Sequence, residues 1–411
     1  MIKTYKRTLK NGLTILMVPD ETKNMTQAKL MVNYGAAIRK IRTNNKTYQI
    51  PFGLAHLLEH NIVENSIYDN AIAYFNQNYV ASNAYTTDFR TMFYIDVVCD
   101  FEKHLEELIT MVNKPLFTNK LNEIKKPIYE EIKRKQDTHN YNYIKEIDKA
   151  VYINNYINVL GSIENVKKIT NKELNLIHKI FYTPKNQTLM LSGNFNHKEI
   201  VKKIEQIYKK LKIKNQNYKI LDQKEKIEVV CKEKKIIEPN YNEEVTLAFK
   251  VPTNNFTKEE KNKLTYYLAY FLKYNFNDNS KNFKEITNKK YSLTSIRSGI
   301  DRIFKNMAVM IIELSTKNHE EFKKMVLETL EKRELDKKYF ELEKRMTLID
   351  YITQINNYHF VFSNFVNNYI DFNYCKVDTI EFIEKLNSEE CMELLKKLDF
   401  SNYATIYQVK E

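Results

Sequence analysis

Apolar and polar residues follow two different periods along the chain, and each period predicts one kind of element. Short alternating or continuous apolar runs are typical of strands, whereas apolar residues spaced three and four apart are typical of amphipathic helices. In the first half, strand patterns lie at Gly12–Val18, Lys29–Tyr34, Thr91–Val98 and Thr188–Gly193. Helical patterns lie at Ala55–Glu64, Phe101–Val112, Pro127–Thr138, Asn171–Ile180 and His197–Leu211.

The second half repeats this arrangement after a polar, lysine-rich stretch, residues 212–226, which we predict to be a linker. Its strand patterns lie at Ile227–Val230, Val245–Val251, Met307–Leu314 and Tyr403–Val409. Its helical patterns lie at Lys258–Tyr274, Asn318–Lys332 and Asp336–Tyr351. Because neither half has a regular βαβ rhythm, we predict an α+β fold with two similar domains, residues 1–215 and 225–411. Each domain is expected to be an antiparallel sheet packed with helices.

Composition narrows the protein classes that fit this pattern. At 411 residues, the chain is long enough for two domains. The four cysteines contain no C-x-x-C pair, which excludes a cysteine-based zinc module and suits a reducing compartment; they are Cys99, Cys231, Cys375 and Cys391. No apolar run approaches the length of about 18 residues that a membrane helix needs, and the N-terminus lacks the apolar core of a signal peptide. We therefore expect a cytoplasmic protein without a membrane partner.

The net charge of +13 is the one compositional feature that points toward nucleic acid. The charge is spread over many lysines, for example Lys202-Lys203 and Lys209-Lys210. No recognised nucleic-acid-binding module accompanies it. We therefore interpret the lysines as a solvated surface and expect no nucleic-acid partner.

The strongest chemical signal is the segment His56-Leu57-Leu58-Glu59-His60. In a helix, residues four apart share a face, so His56 and His60 can direct two imidazoles at one point. Zinc binds imidazole nitrogens and lowers the pKa of the water it holds toward about 7. Glu59 lies at the edge of the same face, where it can accept a proton from that water without binding the metal. The order H-x-x-E-H is the inverted zincin motif; the ordinary alternative is two structural histidines on an amphipathic helix.

A catalytic zinc site also needs a third protein ligand and keeps one position open. The helical pattern around residue 130 offers two neighbouring candidates, Glu130 and Glu131. The apolar stripe of that helix consists of Ile124, Ile128 and Ile132. Glu131 lies at the edge of this stripe, whereas Glu130 is turned about 100° away, among charged residues. The helix phase therefore predicts that Glu131 points inward and is the third ligand.

Further segments extend the pattern well beyond the histidine motif. They are Asn11–Ile15, Tyr34–Ala36, Gly53–His60, Asn83–Thr86, Phe181–Asn186 and Leu191–Phe195. With these segments the chain resembles the pitrilysin/insulinase metallopeptidases, called inverzincins. The resemblance is closest to short bacterial members of the processing-peptidase type, and it covers residues 5–200.

This resemblance implies a zinc endopeptidase with Zn²⁺ as cofactor and Glu59 as the catalytic base. The implied zinc ligands are His56, His60 and Glu131. Asn83 and Ala84 would belong to the edge strand on which the peptide substrate lies, since an edge strand can pair with an extended peptide. The family acts on short or unfolded peptides inside an enclosed chamber, for example in peptide maturation or leader removal.

The family pattern leaves the third ligand open in one respect. Members carry a supporting glutamate two helical turns before that ligand, but position 124 is Ile here. Glu123 stands two turns before Glu130. The family spacing therefore favours Glu130 where the helix phase favours Glu131.

Members of this length carry half of a four-domain chamber. The resemblance therefore implies a homodimer, or a heterodimer with a paralogous subunit. Some family members are non-catalytic partner subunits, which is the alternative function. Those subunits have usually lost the H-x-x-E-H motif, whereas this chain retains it.

Overall fold

A computed structural model gives the structure of the protein and describes residues 3–154, 157–222, 224–288, 296–304, 306–354, 358–372 and 379–410. The chain divides into two compact units. The first unit contains residues 1–136, 157–223 and 359–377, and the second contains residues 137–156, 224–358 and 378–411. Each unit therefore includes a segment from the opposite half of the chain.

The first unit is built on a six-stranded sheet. Its strands are β1 (Tyr5–Thr8), β2 (Thr14–Pro19), β3 (Thr26–Val32), β6 (Ala81–Thr86), β7 (Thr91–Val97) and β8 (Gln187–Gly193). Their spatial order is β1-β2-β8-β3-β7-β6, and β2 with β8 is the parallel pair in an otherwise antiparallel sheet. A separate three-stranded sheet contains β4 (Lys40–Thr43), β5 (Lys46–Gln49) and β9 (Lys219–Ile220).

Helices cover both faces of the six-stranded sheet, which explains why its central strands are apolar on both sides. The helices are α1 (Leu54–Glu64), α2 (Ala71–Gln77), α3 (Phe101–Asn113), α4 (Leu121–Gln136), α6 (Ile163–Lys168), α7 (Asn171–Phe181), α8 (His197–Leu211) and α13 (Tyr358–Phe372). Along β2, Ile15 and Met17 enter the main core. Leu16 and Val18 face the opposite way and share a second cluster with Phe362 of α13.

The second unit has a five-stranded sheet. Its strands are β10 (Glu233–Ile237), β11 (Glu244–Pro252), β12 (Arg297–Ile303), β13 (Met307–Ser315) and β14 (Tyr403–Val409), in the order β10-β14-β11-β13-β12. Its helices are α5 (His139–Val151), α9 (Lys258–Asn275), α10 (Lys281–Asn288), α11 (His319–Lys332), α12 (Lys337–Gln354), α14 (Thr379–Glu384) and α15 (Ser388–Lys396). One sheet face packs on the main core of this unit, and the other packs on Tyr143 and Ile147 of α5.

The two sheets share one topology. The order β2-β8-β3-β7-β6 corresponds to β10-β14-β11-β13-β12, and in each series only the first pair is parallel. The predicted α+β fold with two similar domains is confirmed, with one parallel pair per sheet that local patterns do not reveal. The domain limits 1–215 and 225–411 stay a prediction.

Two local predictions were wrong. Residues 227–230 do not form a strand. The carbonyls of Lys226 and Glu228 instead accept hydrogen bonds from the buried Lys250 ammonium, and the strand begins only at Glu233. Helix α4 begins at Leu121, so Pro127 lies inside it. Pro127 is on the exposed side, where water can bind the carbonyl that the missing N–H leaves unpaired.

Three of the four cysteines lie among the described residues. Cys99, Cys231 and Cys391 are free thiols in the structure. Cys375 lies outside the described residues. Among the described helices, none combines the length and the apolarity needed to cross a bilayer.

Candidate metal centre

Helix α1 carries the histidine motif, and a glycine fixes where this helix begins. Gly53 has a φ of 83°, and a Cβ at this position would lie 2.5 Å from the Leu160 carbonyl oxygen. Only glycine adopts that conformation without strain and permits the close approach. The apolar residues of α1, such as Leu57 and Leu58, are buried in the main core of the first unit. His56, Glu59, His60 and Glu64 of this helix line one cavity.

Three side chains converge at this cavity in the geometry of a metal site. Ligand atoms of His56, His60 and Glu131 all lie within 4.8 Å of one another, the one such group found among the described residues. His56 Nε2 is 3.5 Å from Glu131 Oε2. Two ligands bound at about 2.0 Å to one tetrahedral ion are about 3.4 Å apart. The spacing and the donor types therefore fit zinc.

Helix α4 brings Glu131, and not Glu130, to the two imidazoles. Ile124, Ile128 and Ile132 are buried, which fixes the rotation of the helix about its axis. The Glu130 side chain is 72% exposed and accepts a hydrogen bond from Lys133 at 2.9 Å. Glu131 is 25% exposed. Glu123 is also exposed, so the alternative spacing with Glu123 supporting Glu130 has no counterpart at the cavity.

The protonation of the two histidines bears on metal binding, because a ligand must be deprotonated at the coordinating atom. Burial lowers the pKa of His56 to about 3, so its contact with Glu131 joins a neutral imidazole to a carboxylate. His60 Nδ1 lies 2.7 Å from Glu64 Oε1, which leaves Nε2 available. Burial acts to lower the pKa of His60, but the hydrogen bond to Glu64 and nearby carboxylates raise it overall. A carboxylate partner of this kind orients a ligating histidine.

Glu59 lies beside the three converging residues but is held by a different partner. Its Oε2 accepts a hydrogen bond of 2.6 Å from the Thr86 hydroxyl. Burial raises the pKa of Glu59, and the hydrogen bond from Thr86 opposes that increase. A buried carboxylate with a raised pKa is a stronger base than an exposed one. Glu59 is thus placed for proton transfer next to the site.

The strand β6 forms the wall of the cavity opposite α4. The cavity has a volume of about 470 Å³, and Asn83, Ala84 and Thr86 are among its lining residues. Among the described strands, β6 lies at the edge of its sheet, with β7 as its one neighbour. The Ala84 N–H donates to the Asn83 side-chain oxygen at 2.8 Å. An edge strand of this kind is a surface to which an extended chain can add.

Sequence reasoning did not assign two residues that complete this arrangement. Thr86 belongs to the predicted edge-strand segment, but the family pattern implies a role only for Asn83 and Ala84. Glu64 follows His60 by four residues, a spacing that places both on one helix face and could have identified it. Nothing local to Thr86 indicates Glu59, because the two lie 27 residues apart.

Comparisons with known proteins identify the family. A family profile described as Insulinase (peptidase family M16) matches residues 15–160, and a second, described as Peptidase M16 inactive domain, matches residues 168–346. The chain belongs to the pitrilysin/insulinase family. The converging residues fall within the first match. The description "inactive" applies to the second match, residues 168–346, which contains none of the three converging residues.

One curated relative and two solved structures show how much of the chain is similar to other proteins. The Bacillus subtilis (strain 168) protein YmfH, described as an uncharacterized zinc protease, is 27% identical over 205 residues. The match covers 49% of this chain and 48% of YmfH, so the chain spans about half the length of that relative.

The two structures share the fold at low sequence identity. A protein from Alicyclobacillus acidocaldarius, described as an M16-like peptidase, aligns with a TM-score of 0.86 at 20% identity, over 99% of this chain and 98% of its own. A Helicobacter pylori protease aligns with a TM-score of 0.79 at 16% identity, over 100% of both chains. The whole described fold is therefore an M16 fold.

Proposed function

We propose that this protein is a zinc-dependent endopeptidase. The observation that carries the proposal is the convergence of His56, His60 and Glu131 within 4.8 Å, with the Glu59 carboxylate beside them. Two imidazoles and one carboxylate form the donor set typical of a catalytic zinc site with an open position. The family and the description of YmfH as a zinc protease point the same way.

Glu59 would transfer the protons of the reaction. Zinc, when bound, supplies Lewis-acid polarisation of the scissile carbonyl and acidifies water. Glu59 accepts a proton from the attacking water, whose oxygen forms the new bond to the carbonyl carbon. As the C–N bond breaks, Glu59 returns that proton to the leaving amine. The Thr86 hydroxyl holds one oxygen of Glu59, so the other oxygen is directed at the cavity.

The substrate we propose is an extended peptide. Strand β6 offers an unpaired edge at Asn83 and Ala84, and an extended chain can add to such an edge through main-chain hydrogen bonds. A folded protein presents few free extended segments, which favours short or unfolded peptides. We further propose a homodimer or paralogous heterodimer that encloses the cavity, acting in peptide maturation or leader removal in the cytoplasm. The free thiols of Cys99, Cys231 and Cys391 support a reducing compartment.

Metal dependence of peptide cleavage tests the proposal. The purified chain is expected to contain about one zinc and to cleave a generic unfolded peptide. A chelator should abolish cleavage, and zinc should restore it. The Glu59→Gln protein is the matched control, because it should retain zinc without cleaving. A wild-type protein that holds zinc but cleaves no peptide would instead support a non-catalytic partner subunit.

A further inference from the structure

Two cationic side chains extend from helix α4 over the same cavity. Arg134 and Lys135 follow Glu131 by three and four residues, so all three share one face of the helix. Both cations are among the residues that line the cavity. Lys135 Nζ lies 4.0 Å from Glu131 Oε1. The cavity therefore has a positively charged side one helical turn beyond the converging residues.

Each carboxylate of the cavity contacts another side chain, and none of these contacts is with Arg134. Glu64 contacts His60 at 2.7 Å, and Glu59 accepts from Thr86 at 2.6 Å. Glu131 faces the imidazoles. In the part of the chain that the structure describes, Arg134 has no hydrogen bond or ion pair. A substrate that reaches the Arg134 end of the cavity would therefore meet a guanidinium that no described carboxylate contacts.

The remaining lining mixes apolar side chains with polar ones such as Asn70, Asn83 and Thr86. The apolar members are Val63, Ile72, Ala84, Val159 and Leu160. None of these remaining residues carries a formal charge, so the charged contacts of a peptide on this side of the cavity would be with Arg134 and Lys135. A basic side chain at that end would be repelled, while an acidic side chain would be attracted over a few ångströms.

We infer that Arg134 and Lys135 make the enzyme select peptides with an acidic residue close to the scissile bond. This inference rests on the proposed function and adds the substrate class. Helix α4 also offers a matched control in Lys133, which is 57% exposed, pairs with Glu130 and is not among the cavity-lining residues. A lysine of this kind should have no influence on substrate choice.

Cleavage of a matched peptide series tests the inference. The peptides would be identical except for Asp, Asn or Lys placed in turn at each of the three positions on either side of the bond. At one position we expect the Asp peptide to have a kcat/KM about fivefold above the Asn peptide, and the Lys peptide to be poorest. The preference should shrink at high salt, because exposed charges are screened.

Variants locate the preference and give a second readout. Arg134→Gln combined with Lys135→Gln should remove the preference while zinc content stays at the wild-type level, and Lys133→Gln should keep it. Binding of the Asp and Lys peptides to the Glu59→Gln protein, measured by fluorescence anisotropy, should show the same preference without turnover. Cleavage or binding with no acidic preference, or a preference that survives the double substitution, would overturn the inference alone. Failure of the wild type to cleave any peptide overturns the proposed function and this inference with it.

Discussion

The two units have sheets of the same topology, but the helices that precede their edge strands carry different residues. Along the chain, α1 comes after β3 and before the edge strand β6 in the first unit, and α9 comes after β11 and before the edge strand β12 in the second. Helix α1 carries His56, Glu59 and His60, whereas α9 carries no histidine and buries Tyr267 and Tyr270 in its core. The M16 sheet thus folds with or without the site, so the site is a local addition to the scaffold.

The edge strands show the same contrast in their hydroxyl groups. Thr86 on β6 donates to the Glu59 carboxylate of α1. Ser298 on β12 donates to the main-chain carbonyl of Phe276, at the end of α9. Both bonds tie the edge strand to a helix that lies earlier in the chain, α1 or α9. Only the first one acts on an ionisable group, so only the first can influence proton transfer.

The largest effect is expected from removing the histidines. His56→Ala combined with His60→Ala should reduce zinc from about one per chain to a trace and abolish cleavage, because two of three ligands are lost. His319→Gln is the control in the second unit, since His319 also faces a carboxylate, Glu243, at 3.7 Å. Metal analysis of both proteins checks this. Full zinc content in the double variant would show that His56 and His60 are not the zinc ligands.

The next effect separates chemistry from metal binding. Glu59→Gln should lower kcat by about 100-fold or more, because an amide cannot accept the proton that the carboxylate takes. Zinc content should be unchanged, since Glu59 is not among the three converging residues. Steady-state kinetics with metal analysis of the same sample measure both. Near-wild-type turnover would mean that a different group is the base.

A smaller effect distinguishes the two neighbouring glutamates of α4. Glu131→Gln should weaken zinc affinity by about tenfold or more, because an anionic ligand is lost. Glu130→Gln should lose only the exposed contact with Lys133, which contributes less than about 1 kcal/mol. Competition with a chromophoric chelator gives both affinities. Loss of zinc from the Glu130 variant would favour the family spacing over the helix phase.

Short-range patterns predicted most of the long elements and three converging residues. The rotation of helix α4 about its axis could be predicted from the sequence alone, because the apolar stripe around Ile128 fixes which neighbouring residues point inward. The edge strand β12 and helix α5 were not predicted. In β12 the exposed residues include Arg297 and Ile303, so no clean alternation marks the strand.

Long-range contacts account for the rest of what the sequence did not reveal. Helix α13 packs Phe362 and Phe365 against Leu16 on the first sheet, although about 350 residues separate them in the chain. The segment at 227–230 is apolar enough for a strand, but the Glu228 carbonyl accepts a hydrogen bond from Lys250 of β11 instead. Periodicity reports which residues are buried, and it carries no information about which distant element covers them.

The smallest expected effect tests the contrast between the two edge-strand hydroxyls. Thr86→Val removes the hydroxyl at nearly constant shape and should lower kcat by about tenfold, because a hydrogen bond to a charged group contributes about 1.5–3 kcal/mol. Thr86→Ser keeps the hydroxyl and should restore most of the rate. KM and zinc content should change little in either variant. Ser298→Ala removes the matching hydroxyl of the second unit, so it should lower the unfolding free energy by about 1 kcal/mol with kcat unchanged. Kinetics and denaturant unfolding of the three proteins measure this, and an equal loss of kcat in Thr86→Val and Ser298→Ala would show that both hydroxyls act through stability alone.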